Sequence, residues 1–226
     1  MAALTKRLRS DGVKTAVEIL LKFPFYIVTH PFKGFDDMKQ ERRGDMRYAL
    51  FMLVATGLLG LIRSAYTGFV VTEFFQAVPF VNVPWVLAMA YAPIVLFVLA
   101  NWSVTTVTEG KGNMREIFLT YCYAMYLSLF CTVIGIIVSN FVTVNEVAFA
   151  SFFFTFGQIS GLFYLFIGLV VVHEYTFGKA IVMVILTVLS MLVITFVLAL
   201  FFALLSNVVM FFSTVITELN AHHLLQ

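Results

Sequence analysis

Aspartate disappears from this 226-residue chain after Asp45, and beyond residue 47 only four lysines or arginines remain. Charged residues make up 12% of the sequence and hydrophobic ones 62%, with a mean hydropathy of +1.00. Too little polar surface is left for a water-soluble domain of this size to cover its apolar atoms, so the solvent for most of the chain is lipid. With no aspartate in the apolar region, the intramembrane carboxylate pairs expected of a proton-coupled carrier are missing. Cysteine is nearly absent as well. Cys122 and Cys131 stand nine residues apart; on one helix that puts them on opposite faces about 13 Å apart along the axis, out of disulfide reach. Both read as packing side chains.

Catalytic signatures are also lacking. His173 and Glu174 open the run HEYTF, which has no second histidine four residues on and therefore no zinc-protease pair. No glycine-rich phosphate loop opens a helix, and no Gly-x-Ser-x-Gly elbow occurs. The pair His222-His223 has no adjacent cysteine or acidic ligand and is expected to be solvated. No enzyme activity, cofactor or metal site is expected.

What the chain has instead is five long apolar segments, 48–71, 84–102, 117–140, 147–172 and 180–212. A bilayer core about 30 Å thick needs roughly 20 apolar residues per helical crossing. Backbone groups in lipid must be satisfied within the element, which leaves helices or a closed barrel. Runs such as LFMLVATGLLGLI are apolar all round rather than alternating, so the expected fold is an all-α polytopic bundle of five transmembrane helices. The fifth segment, longer than one crossing and too short for two, reads as one tilted helix continuing past the membrane.

The basic residues set the orientation. Ten of the fourteen lysines and arginines lie in residues 1–47, Lys111 and Arg115 follow the second apolar segment, and Lys179 follows the fourth. Residues 72–83, 141–146 and 213–226 carry none. Positive charge marks the cytoplasmic side, so the N-terminus is expected inside and the short 213–226 tail outside. The first apolar span starts only after about 47 polar or amphipathic residues, so no cleavable signal peptide is expected. Within the basic region, residues 12–23 put Val13, Val17, Leu20 and Leu21 on one helical face and Lys14, Glu18 and Lys22 on the other. Such a helix lies in the membrane interface or packs as a surface helix. Pro24 and His30-Pro31 are expected to end it, with a charged stretch leading into the first span.

Local features mark anchors and contacts. Trp85 and Trp102 bracket the second span about 25 Å apart, as interfacial aromatics do, and Pro93 between them is expected to kink it. Thr56, Gly60, Ser64 and Gly68 recur every fourth residue, and Gly157 and Gly161 form a GxxxG with Gly168 beyond. Small residues allow close helix approach, within one chain or between two. Arg63 is the one charge well inside a span; it either snorkels to the headgroups or meets Glu73 or Glu146. His173-Glu174 lies near the loop carrying Glu109, Lys111 and Arg115, where a charge-paired cluster is expected.

The run THPFKGFDDMKQERRGDMRYAL before the first span, and WSVTTVTEGKGNMREIFLTYCYAMY with its Gly110-Lys111-Gly112 turn between the second and third, resemble the Yip family, especially its bacterial branch. The resemblance extends from about residue 25 to the C-terminus. Where the family has a proline soon after the tyrosine-rich start of the third helix, this chain has Leu127-Ser128. The resemblance implies a five-span protein with a cytosolic N-terminus, in a bacterial cytoplasmic membrane. Eukaryotic relatives bind Rab-type GTPases and one another in vesicle traffic, and some bacterial relatives are encoded beside transporter genes; no catalytic residue carries over. The expected function is a non-enzymatic membrane adaptor or accessory subunit, its partner an ABC-type transport complex or another copy of the chain. Lys33, Arg42, Arg43, Lys111 and Arg115 are the expected contact residues. The rival is an autonomous permease or channel component, which would need a polar path between the helices.

Overall fold

The computed structural model describes residues 18–74, 81–108 and 110–224. Among them no strand occurs, and five helices are long and apolar enough to cross a membrane. A π-helical turn (Glu18–Lys22) leads into α1 (Phe23–Thr29) and α2 (Pro31–Gln40). The bundle follows as α3 (Met46–Tyr66), the short α4 (Phe69–Phe74), α5 (Val83–Val107), α6 (Met114–Ala124), α7 (Tyr126–Ser139), α8 (Val147–His173) and α9 (Phe177–Leu224). The chain is a multi-pass integral membrane protein.

Several helices begin where a side chain satisfies free backbone donors. Asp45 Oδ1 accepts the Arg47 N–H at 2.8 Å to start α3, and Asn82 Oδ1 accepts the Trp85 N–H at 3.2 Å to start α5. Glu116 reaches back to accept the Asn113 N–H at 3.0 Å at the head of α6. Ahead of α8, Glu146 accepts both the backbone N–H and the hydroxyl of Thr143. Pro24 sits in the first turn of α1 rather than ending a helix, a position where its missing donor costs nothing. The amphipathic segment expected over 12–23 lies largely outside the described residues.

α8 is the central element, packed by α7, α6 and α2. Its glycines explain the closeness. An added Cβ would lie 2.9 Å from Cys131 Cβ at Gly157 and 2.9 Å from Met125 Sδ at Gly161. At Gly168 it would strike Thr120 and lie 3.1 Å from the Phe35 ring. The GxxxG face is therefore used inside the chain, and both cysteines are buried in this packing as free thiols.

Three expected features differ. The first span ends at Tyr66, not 71, because the chain turns so that Gly68 can press its backbone against Ser139, donating its N–H to Ser139 Oγ at 2.9 Å. Gly68 thus belongs to a turn, not to a helical stripe. The third span is divided at Met125 into α6 and α7, close to where the resembled family has its proline. The charged stretch before the first span forms α2, with Phe35 and Met38 buried. The fifth segment is one helix, as expected. Its apolar part, Phe177–Thr217, has 41 residues and so runs about 60 Å, twice a bilayer core.

Candidate functional site

The arm formed by α1 and α2 folds back on the bundle rather than trailing from it. Ile27 and Phe35 are fully buried with Tyr48, Tyr123 and Val172, and Tyr164 donates its hydroxyl hydrogen to the Val28 carbonyl at 2.8 Å. The arm is locked at its end by Lys39. Its Nζ donates to the Val172 carbonyl and to Glu174 Oε1, both at 2.8 Å. Glu174 Oε2 takes a second ion pair at 2.5 Å from Lys111. One carboxylate thus clasps the N-terminal arm to the turn between α5 and α6. The hydrogen bonds from Lys111 and then Lys39 hold the Glu174 carboxyl down to about 2.

Backbone geometry aims that carboxylate. α8 ends at Glu174 in the left-handed conformation (φ 55°, ψ 40°), with the Glu174 and Tyr175 N–H groups returning to Val171 and Val170. This is a helix C-cap of a kind usually given to glycine, occupied here by a residue whose side chain the clasp requires.

The Gly110-Lys111-Gly112 turn has a packing reason. A Cβ at Gly110 would lie 2.7 Å from Thr105 Cβ, and one at Gly112 would lie 2.6 Å from His173 Cε1 and 2.9 Å from Val172 Cγ1. Only glycine lets the turn lie flat on His173, leaving Lys111 free to project to Glu174. Beneath it runs a buried polar line. The Gly112 N–H donates to His173 Nδ1 at 3.2 Å, which assigns the ring proton to Nε2, where it faces Asn101 Oδ1 at 3.1 Å. The Asn101 amide in turn donates to Thr187 Oγ1 at 3.1 Å, and Thr187 donates to the Met183 carbonyl. Three spans are tied by side chains that lipid could not satisfy.

The expected charge cluster thus forms around His173-Glu174 with Lys111, but its other cation is Lys39, not Arg115; Glu109 lies outside the described residues. Of the expected contact residues, Arg43 is paired with Glu41 at 2.7 Å and Asp37 at 3.8 Å, and Lys111 belongs to the clasp. Lys33, Arg42 and Arg115 are exposed and carry no ion pair among the described residues. Sequence reasoning missed Lys39, Asn101 and Thr187. A lone asparagine inside an apolar span was the one visible signal.

At the opposite end of the bundle, α3, α5, α7 and α8 leave a cavity of about 1130 Å³ between them. Arg63 lines it and meets neither Glu73 nor Glu146; its guanidinium lies over the Phe154 ring at 4.3 Å from the centroid. Such a cation–π contact is an alternative to a carboxylate partner. Gly60 does pack on α5, where a Cβ would lie 3.5 Å from Val86. Ser64, expected at a helix contact, is exposed and lines the cavity instead.

No group of three or more metal-ligating side chains occurs among the described residues. The side chains of His222 and His223 lie outside them. No curated protein and no solved structure matches the chain. The Yip1 domain model matches residues 25–199, from the start of the docked arm through the clasp, the cavity and the bundle-packed part of α9, and the chain belongs to the Yip1 domain family.

Proposed function

We propose that the chain is a non-enzymatic membrane adaptor whose cytoplasmic face presents Lys33, Arg42 and Arg115 to an acidic surface of a membrane-protein complex, such as an ABC-type transporter. One observation carries this reading: of the cations without an ion pair among the described residues, Lys33 and Arg115 stand on helices fixed to the bundle, and Arg42 stands on the short link between α2 and α3. α2 is docked on α8 and clasped through Lys39, while Arg115 lies in the capped first turn of α6. Exposed ion pairs are individually worth about 0–1 kcal/mol, so recognition by charge needs several cations in a constant arrangement. Such an array steers encounter and orientation more than it adds affinity.

The test is native purification in mild detergent at endogenous expression, comparing wild type with the double variant Arg42→Glu, Arg115→Glu. A stoichiometric transport complex in the wild type, depleted several-fold in the variant at equal chain yield, is the expected result. Equal recovery rejects this surface. Lys111→Glu is a poorer probe, because it also opens the clasp. The cavity beside Arg63 favours a second reading, an autonomous permease, and specific flux in proteoliposomes containing this chain alone would replace the adaptor by it.

A further inference from the structure

The cavity beside Arg63 has two chemically different parts. Several of its hydroxyls are already committed to their own helices: Thr56 donates to Met52, Thr67 to Arg63, Thr72 to Gly68 and Thr132 to Ser128 carbonyls. The donors left over include the Arg63 guanidinium, the Ser64 hydroxyl, the Gln158 amide, the Trp85 indole N–H and the Asn82 amide nitrogen, whose oxygen alone is used, by the Trp85 backbone. Arg63 and Ser64 lie in the last turn of α3, and Asn82 caps α5 at the same end. Deeper along α5 and α7 the wall is mostly apolar, with Met89, Ala90, Pro93, Met125 and Leu129, and its polar members are the Tyr121, Ser128 and Thr132 hydroxyls.

No carboxylate lines the cavity among the described residues, so its net charge is that of Arg63. Phe154 covers one face of the guanidinium and leaves the in-plane N–H fork, the geometry that grips phosphate oxygens in pairs. Arg63 stands three residues before the end of α3, about 5 Å along the axis, at the level where headgroups meet acyl chains. Trp85 and Leu162, which line the cavity, are 60% and 62% exposed on the outside of the bundle. A volume of about 1130 Å³ also exceeds the roughly 300–1,000 Å³ of an ordinary small-molecule pocket.

We propose that this cavity binds one anionic phospholipid, with its phosphate on Arg63 and Ser64 and its acyl chains along Met89, Pro93 and Leu129. A small free anion would use the donor end but leave the apolar wall unfilled, and a zwitterionic lipid would bring its ammonium to a site with no acid to receive it.

The purified full-length chain is exchanged into detergent with equimolar phosphatidylglycerol and phosphatidylcholine of identical acyl chains, and retained lipid is read by native mass spectrometry. Wild type is expected to retain phosphatidylglycerol preferentially. Arg63→Gln should lower that preference about tenfold, the effect of losing one charge-assisted pair, and Arg63→Lys should keep part of it. Ser64→Phe, which fills the donor end without touching the charge, should reduce retention of both lipids. Equal retention of the two lipids by wild type overturns the proposal, and that comparison needs no variant to fold. An undiminished preference in Arg63→Gln also overturns it. Full displacement of phosphatidylglycerol by inorganic phosphate would identify a small-anion site instead and reject the lipid.

Discussion

Gly112 places its backbone N–H 3.2 Å from His173 Nδ1, across 61 residues of chain. That one bond decides which nitrogen of the ring carries the proton, and so which way the buried line through Asn101 and Thr187 runs. It also requires the turn to lie within contact of the imidazole, which only a residue without Cβ permits. Gly112→Ala should therefore destabilise the fold by about 1–3 kcal/mol through overpacking, lowering the melting temperature in detergent by several degrees. Gly178→Ala is the control, since a Cβ there meets nothing within 4 Å. Equal melting temperatures for the two variants would show that the turn is not packed as described.

The polar line itself predicts two coupled losses. Asn101→Leu strands the His173 Nε2–H in a buried site and removes the donor to Thr187, and each buried orphan costs about 1–3 kcal/mol. Thr187→Val removes a hydroxyl that accepts from Asn101 and donates to Met183, and leaves one Asn101 amide hydrogen unpaired in the same buried line, a comparable cost. Thermal unfolding should place both Asn101→Leu and Thr187→Val well below wild type. The double variant should fall short of the sum of the two, because the Asn101–Thr187 bond is counted in both.

The clasp predicts a pH dependence confined to acid. The Glu174 carboxyl titrates near 2 instead of its ordinary 4.5, because it is bound by Lys111 and Lys39. A carboxylate depressed on folding contributes stability that is complete above its unfolded value and disappears as pH falls toward the folded one. Wild type should therefore melt above Glu174→Gln at pH 6, and the gap should close between about pH 5 and 2. A gap that stayed constant over that range would show that the ion pairs of Glu174 do not carry the difference.

How far these features were legible in the sequence depends on the range of the interaction. Five spans could be read because each is a continuous apolar run, and a run is a local property. The Gly157–Gly161 face could be read for the same reason. The arm could not, since Phe35 and Met38 sit among Lys33, Asp36, Asp37 and Lys39, and such a short charged helix shows its apolar face only once α8 supplies a surface. Lys39 looked like one more topogenic cation because its partner, Glu174, is 135 residues away. The break at Met125 falls where no proline or glycine announces it. The cavity had no local signature either: Thr56, Ser64, Asn82 and Gln158 are scattered over three spans, and only the packing of those spans brings them beside Arg63.

Orientation rests on charge alone and is directly testable. Residues 1–47 with Lys111, Arg115 and Lys179 place all the loop cations on one side, which the positive-inside rule assigns to the cytoplasm. Arg115 and Asn145 are exposed at opposite ends of the third span, formed by α6 and α7. In intact cells, a membrane-impermeant maleimide should label Asn145→Cys at once and Arg115→Cys only after permeabilisation. The native thiols interfere little, because Cys122 and Cys131 are only 4% and 5% exposed. The reverse pattern would turn the clasp and its cations outward. It would then place Arg63 and its cavity at the cytoplasmic leaflet, so the same labelling experiment decides which leaflet supplies the proposed lipid.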